Sequence, residues 1–262
     1  MTANIYSMDK IKIHHLNCVD ILTPMQLSAI GHCLLLETAN RLILIDTGIG
    51  LNDVRDPLKR IGKEVIKIAG YRFNESSTAI RQIEKLGLNP ALVTDCIISH
   101  LDNDHIGGLA DFPNATVHIS MEEYNNFKSG NPRYLQAPML HNPKIITYGP
   151  SFNQWNGLES RHLNLQIADI SLIPLFGHTH GHCGVAINLH DTSLFYIGDA
   201  YYLRTELEDD SQPVSQLAKN RADDDIQRIN TLNILRNFIN QHPEIIVFGY
   251  HDIKEFDQFI CN

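Results

Sequence analysis

The stretch Ser99-His-Leu-Asp-Asn-Asp-His-Ile-Gly-Gly108 gathers His100, Asp102, Asp104 and His105 within six consecutive positions. Imidazole nitrogens and carboxylate oxygens are the donors that divalent metal ions take from proteins. A merely solvated face has no need of that alternation. The run just before it, Val93-Thr-Asp-Cys-Ile-Ile98, is apolar and β-prone and reads as a buried strand. The donors therefore fall on a loop at a strand end, where they can converge. The Gly107-Gly108 pair that follows permits a sharp turn and close backbone approach.

The spacing resembles the metallo-β-lactamase superfamily, whose signature is His-x-His-x-Asp-His. This chain keeps His100, Asp104 and His105 in register and has Asp102 at the second position. The resemblance extends along the chain. Leu42-Ile-Leu-Ile-Asp46-Thr-Gly-Ile-Gly is similar to the family's early strand and its Asp-Thr-Gly turn. Phe176-Gly-His-Thr-His-Gly-His182 resembles the next metal motif, with His178 as ligand. Phe195-Tyr-Ile-Gly-Asp199 resembles the strand that ends in a bridging aspartate, and Phe248-Gly-Tyr-His251-Asp the last strand and last histidine. These blocks occur in the family's order, from about residue 31 to residue 252.

The resemblance implies a dinuclear centre. His100, Asp102 and His178 would hold one ion, Asp104, His105 and His251 the other, and Asp199 would lie between them. Two divalent ions sharing a water lower its pKa and make hydroxide available near neutral pH. That hydroxide would attack a carbonyl carbon or a phosphorus, with Asp104 among the catalytic groups. Asp102 changes the charge balance. Three aspartates, two divalent ions and one hydroxide sum to zero, where the usual histidine would leave one positive charge. A hard carboxylate oxygen also favours Fe2+ or Mn2+ relative to Zn2+, the expected metal. The alternative is that Asp102 falls short and a single ion binds. Asp46 is expected to bond a ligand histidine, as such ligands commonly require, or to hold the turn.

A finer resemblance concerns the substrate. Asp199-Ala-Tyr-Tyr202 is similar to the Asp-Ala-x-Tyr segment of acyl-homoserine-lactone lactonases, and Tyr202 falls on the tyrosine beside the metals. A phenol there can hydrogen-bond the carbonyl or the leaving alkoxide. Phe248-Gly-Tyr-His-Asp-Ile253 is similar to the lactonases' Phe-Gly-His-Asp-Ile with Tyr250 inserted. The expected activity is hydrolysis of a lactone or related ester. A thioesterase, a phosphodiesterase, a diiron redox enzyme and a binding protein that has lost activity are the alternatives. Of the 14 histidines, His182 is expected beside the ligands or in packing, and His14, His15, His32, His118, His141, His162, His190 and His242 have no motif context.

Composition agrees. The 262 residues are 43% hydrophobic, as in globular proteins, and long enough for a sizeable core; they are read as one domain, 1–262. The net charge of −9, without a long basic cluster, argues against a nucleic-acid partner and leaves a small-molecule substrate. No basic and apolar leader opens the chain, and no apolar run approaches membrane-spanning length. The five cysteines are scattered, with Cys96 and Cys183 in strand-like runs, so a reducing cytoplasm is expected. The oligomeric state is not legible; a homodimer is compatible.

Periodicity predicts strands at Lys10–Cys18, Cys33–Glu37, Arg41–Asp46, Val93–Ser99, Thr116–Ile119, Leu172–Phe176, Gly184–Leu189, Ser193–Gly198 and Ile245–Phe248. Helices are predicted at Ser76–Leu86, with a serine cap, at Met121–Lys128, and at Asp223–Gln241. The last carries an apolar stripe of Ile226, Ile229, Leu232, Leu235, Phe238 and Ile239. Leu51–Phe73 and Asn125–Pro150 read as irregular loops that could border the substrate. Two strand-rich halves, each with helices, suit an αββα sandwich of two mixed sheets, which the family resemblance also implies.

Overall fold

Leu34-Leu-Leu36 and Leu42-Ile-Leu-Ile45 are unbroken apolar runs, which only a strand covered on both faces can hide. The computed structural model, which describes residues 11–260 except 25 and 210, places both in the middle of a sheet, fully buried. Lys10 of the first expected strand, the N-terminal decapeptide and Cys261 lie outside the described residues.

The first sheet opens with β1 (Lys12–Leu22), β2 (Ser28–Glu37) and β3 (Leu42–Ile45), and Thr38-Ala-Asn40 joins β2 to β3 as a hairpin. The helices α1 (Leu51–Arg55), α2 (Pro57–Arg60) and α3 (Lys63–Ala69) lead to β4 (Tyr71–Arg72) on the sheet edge. Helix α4 (Ala79–Lys85) precedes β5 (Val93–Ile97), and α5 (Asn103–Ile106) precedes β6 (Thr116–Ser120). Helix α6 (Met121–Lys128) and β7 (Lys144–Tyr148) follow, and the order across the seven strands is β4-β1-β2-β3-β5-β6-β7. Strands β3, β5, β6 and β7 run parallel.

A small ribbon, β8 (Gln154–Trp155) with β9 (Leu158–Glu159), leads to the second sheet. That sheet is β10 (Arg161–Leu163), β11 (Asp169–Pro174), β12 (Cys183–Asn188), β13 (Ser193–Tyr196) and β14 (Ile246–Phe248), in chain order. Between β13 and β14, which are parallel, the chain runs through α7 (Pro213–Arg221) and α8 (Asp225–Gln241); α9 (Ile253–Ile260) follows. Leu34, Ile45 and Cys96 of one sheet share a continuous core with Leu172, Val185 and Tyr196 of the other. The outer face of the second sheet packs Phe195 and Ile197 against Leu232, Leu235 and Phe238 of α8. This is the sandwich of mixed sheets with helices outside that the sequence predicts.

Several expectations need correcting. Leu51–Phe73 is not irregular: it holds α1 to α3, whose short turns carry too few apolar positions to show a period. The irregular reading of Asn125–Pro150 gives way at its end to β7. Strands β1 and β2 extend beyond the predicted bounds, and the described chain adds α9. Helix α4 starts after Thr78, which makes no side-chain cap bond, while Ser76 sits in a 3-10 turn capped by Asn74. On α8 the stripe is narrower than expected, because Ile226 is 78% exposed; Asp224 caps the helix by accepting from the Gln227 amide. Gly107 and Gly108 do not have positive φ. They serve close approach instead: a β-carbon on Gly107 would lie 2.2 Å from Asp53 Oδ2 and one on Gly108 2.5 Å from the Thr47 carbonyl oxygen.

Candidate metal centre

Each expected donor follows the carboxyl end of a buried strand. His100, Asp102, Asp104 and His105 follow β5, His178 follows β11, Asp199 follows β13 and His251 follows β14. Loops at the carboxyl ends of parallel strands are where such sheets place ligands. All of these residues are buried.

The structure brings them into one cluster. Asp102 Oδ2 lies 3.5 Å from His100 Nε2 and 3.3 Å from His178 Nε2. Asp199 reaches both halves of the cluster: its Oδ2 is 3.4 Å from His178 Nε2 and 3.2 Å from His251 Nε2, and its Oδ1 is 3.3 Å from His105 Nε2. His251 Nε2 lies 3.8 Å from Asp104 Oδ2. Three overlapping groups, His100 with Asp102 and His178, His100 with His105 and Asp199, and Asp104 with His105 and His251, each keep their donor atoms within 4.8 Å of one another.

A surrounding layer of hydrogen bonds aims these side chains. Asp46 Oδ2 accepts from His105 Nδ1 at 2.8 Å, from Ser99 Oγ at 2.7 Å and from the Tyr196 hydroxyl at 2.5 Å. Asp46 holds a φ of 54°, a left-handed conformation that an aspartate keeps only under surrounding constraint. His251 Nδ1 donates to the Ile30 carbonyl at 2.8 Å, which turns Nε2 inward. His182 uses both ring nitrogens, donating to the Leu175 carbonyl and accepting from the Asp199 amide at 3.0 Å. It therefore positions Asp199 and has no nitrogen left to offer a metal. The Tyr250 ring lies tilted against that of His105, centroids 3.8 Å apart, and its hydroxyl donates to the Asp104 carbonyl, so the inserted tyrosine lies beneath the donor loop. His118 is structural: it pairs with Asp95 at 2.7 Å and with the Tyr148 hydroxyl at 2.8 Å.

The charges of these side chains act strongly on one another. Burial alone would lower the His105 pKa, yet Asp199 and Asp46 on either side raise it well above the usual range. Burial and the neighbouring His105 hold His100 well below the usual value, so its imidazole is neutral. Burial would raise Asp102, but Arg133, His100 and His178 bring it well below the carboxylate range. His100 Nε2, His105 Nε2 and Asp199 Oδ1 are buried without a hydrogen-bond partner. Orphaned buried donors and acceptors are costly, and a shared ion would satisfy them.

Residues 29–251 match the family model described as the metallo-beta-lactamase superfamily. The chain belongs to the metallo-beta-lactamase superfamily. Probable metallo-hydrolases of Mycobacterium bovis and Mycobacterium tuberculosis are each 36% identical over 206 residues. That match covers 76% of this chain and 65% of theirs, so the chain spans about two thirds of the length of these relatives. An N-acyl homoserine lactonase of Bacillus thuringiensis is 25% identical over 246 residues, 93% of this chain and 90% of that protein. A B. thuringiensis mutant solved with N-decanoyl-L-homoserine at its active site shares the fold, with a TM-score of 0.71, 21% identity and coverage of 95% and 96%.

The site also draws on residues that no sequence motif marks. Arg133, in the proline-containing loop after α6, grips Asp102 through two hydrogen bonds of 2.7 and 2.6 Å. Tyr71, on the edge strand β4, donates to Asp104 Oδ1 at 2.9 Å. Glu123 is buried and accepts from the Leu101 and Gly181 amides and the Tyr134 and Thr179 hydroxyls, tying the donor loop to the His178 loop. Burial pushes its carboxyl up to about 7 against the bonds from Thr179, Leu101 and Tyr134. Ser120-Met-Glu-Glu123 resembles a capping box, which would have sent this carboxylate to its own helix start rather than inward.

A pocket opens over the donors. Asp102, Asp104, Asp199 and His251 form its polar end. Ile21, Leu27, Ile68, Leu203, Val214 and Leu217 line its apolar walls. Tyr202 joins them, its ring centroid 5.7 Å from that of His178 and 5.2 Å from that of His251. Ile68 and Tyr71 bring the 51–73 segment to the pocket, as expected of it; the 125–150 segment contributes through Arg133 instead.

Proposed function

We propose that this protein is a metal-dependent hydrolase of a lactone or related ester, folded as one domain over residues 1–262. The observation that carries the reading is the apolar pocket ending at a cluster of imidazole and carboxylate donors with Tyr202 alongside. The relatives that are N-acyl homoserine lactonases support the ester class. Residues His100, Asp102, Asp104, His105, His178, Asp199 and His251 would hold divalent metal, Zn2+ or, given Asp102, Fe2+ or Mn2+. Bound there, the metal supplies Lewis acidity and an activated water.

The chain's own residues do the rest. The apolar walls seat the acyl part of the substrate and exclude bulk water, which strengthens every polar interaction at the pocket's end. The Tyr202 hydroxyl holds the ester oxygens, donating to the oxygen that gains charge as the bond opens. Burial, then Asp199, raises its pKa, so it keeps its proton for that role. Asp104, fixed by Tyr71, receives the proton released by water. The free, buried Cys18, Cys33, Cys96 and Cys183 accord with a reducing cytoplasm, and no helix among the described residues is long and apolar enough to cross a membrane.

The test is elemental analysis of protein purified without added metal, paired with hydrolysis assays on lactones, thioesters and phosphodiesters with and without a chelator. Turnover of lactones that the chelator abolishes and added metal restores is expected. Chelator-insensitive turnover, or activity on phosphodiesters and none on esters, would sink the reading.

A further inference from the structure

Asp102 stands where the superfamily signature has histidine, and a guanidinium holds it. Arg133 Nε donates to Asp102 Oδ1 at 2.7 Å and Nη2 to Oδ2 at 2.6 Å, a two-bond fork. The same Nη2 donates to His178 Nε2 at 2.9 Å. A neutral imidazole has one nitrogen lone pair able to accept, in the plane of the ring. Accepting the Arg133 N–H uses the lone pair that a metal ion at the first position would need. Two of the three donors in that group are thus engaged by a cation of the chain itself.

Arg133 is built in. Its Nη1 donates to the Arg221 carbonyl at 2.5 Å and to Asp223 at 3.2 Å, and its side chain is 10% exposed. Among the described residues the second group has no such occupant. There His105 Nε2 and Asp199 Oδ1 are buried without partners, as is His100 Nε2 between the two groups, while the Nδ1 atoms of His105 and His251 are tied outward to Asp46 and Ile30. Positive charge of the chain itself gathers at the first position: Arg133 sits on Asp102, and Arg221 Nη2 lies 3.8 Å from Asp102 Oδ2.

We infer that Arg133 takes the place of the first metal ion, and that the chain binds one divalent ion tightly, among Asp104, His105, Asp199 and His251 with His100 alongside. The substitution Asp102 and the loop residue Arg133 then form one device: the carboxylate serves the guanidinium rather than a metal. The inference rests on the metal-dependent reading of the site and narrows its seven donors to five, releasing Asp102 and His178 from the metal.

Metal-free full-length protein titrated with Zn2+ in a calorimeter, with bound zinc counted by elemental analysis after dialysis, decides it. One zinc per chain is expected, with any second ion at least about 100-fold weaker, since it must displace a buried two-bond ion pair. Arg133→Met, checked for folding by circular dichroism, should take up a second ion. The double variant Asp102→His with Arg133→Met should bind two ions within about tenfold of each other, because it frees the His178 lone pair and restores imidazole. Two ions of similar affinity in the parent, or a folded Arg133→Met that stays at one, overturns the inference and leaves the proposed hydrolase standing. A parent that binds none of Zn2+, Fe2+ and Mn2+ overturns both. Should Arg133→Met not fold, the parent titration alone settles the matter.

Discussion

Tyr202 carries the substrate reading more than any other single residue, since the donors around it suit many hydrolytic reactions. Its ring faces both His178 and His251. Tyr202→Phe keeps the ring and removes one hydrogen bond to the developing charge. The expected cost is about ten- to a thousand-fold in turnover of lactones with poor leaving groups, with metal content unchanged. Steady-state kinetics on lactones of graded leaving-group pKa measure it; equal rates for parent and variant would reduce Tyr202 to packing. At this scale the donors were legible because metal chemistry restricts them to a few residue types at tight spacing in the 99–108 stretch. Arg133, Tyr71 and Glu123 were not. Each acts through one long-range contact from a segment without spacing constraints, and a lone arginine in a loop looks like surface until its partner is seen.

The elements show how backbone and side chain share the work of placing the site. Gly31 on β2 meets Tyr250, the residue beneath the donor loop: a β-carbon there would lie 2.5 Å from the phenol oxygen and 2.5 Å from Val19 Cγ1. Gly31→Ala should therefore destabilise by about 1–3 kcal/mol, as overpacking does, and an unchanged urea midpoint would show that Tyr250 can move aside. Asp111, ending the turn after the donor loop, accepts from the Leu51 amide at 2.9 Å and so holds the start of α1. Burial raises its carboxyl pKa to about 6 from 3.8. The folded state then holds this proton more firmly than the unfolded chain. The stability so gained is full below about pH 4 and is lost as pH rises through about 6. Asp111→Asn keeps an acceptor and cannot ionise, so its stability should fall less than the parent's between pH 4 and 7, by about 1–2 kcal/mol after allowing for partial exposure. Parallel unfolding curves for the two proteins across that range would refute it. Long strands and α8 were legible from their periods, whereas α1 to α3 were not, because helices of four to seven residues are set by docking on β1 and β4 rather than by their own pattern.

Across the whole molecule the site is a seam between the two sheets. Buried imidazoles and carboxylates facing one another there weaken the fold unless a cation sits among them. Chelation should therefore lower the melting temperature. At free metal about 100 times the dissociation constant the ion contributes about 2.7 kcal/mol, which corresponds to about 5–10 °C for a chain of this size. Differential scanning calorimetry with and without chelator tests this, and identical transitions would mean that the cluster is self-sufficient. The sandwich itself was legible from two groups of apolar strands; which strand lies beside which was not, since β13 pairs with β14 across the intervening α7 and α8. That pairing has a consequence for the order of synthesis. His251 reaches Asp199 only after β14 has laid itself along β13, and β14 leaves the ribosome after α7 and α8. A nascent chain that has emerged only as far as α8 would present His100, Asp104, His105 and Asp199 without the partner that completes them. The donor cluster is thereby completed only once β14 has been made.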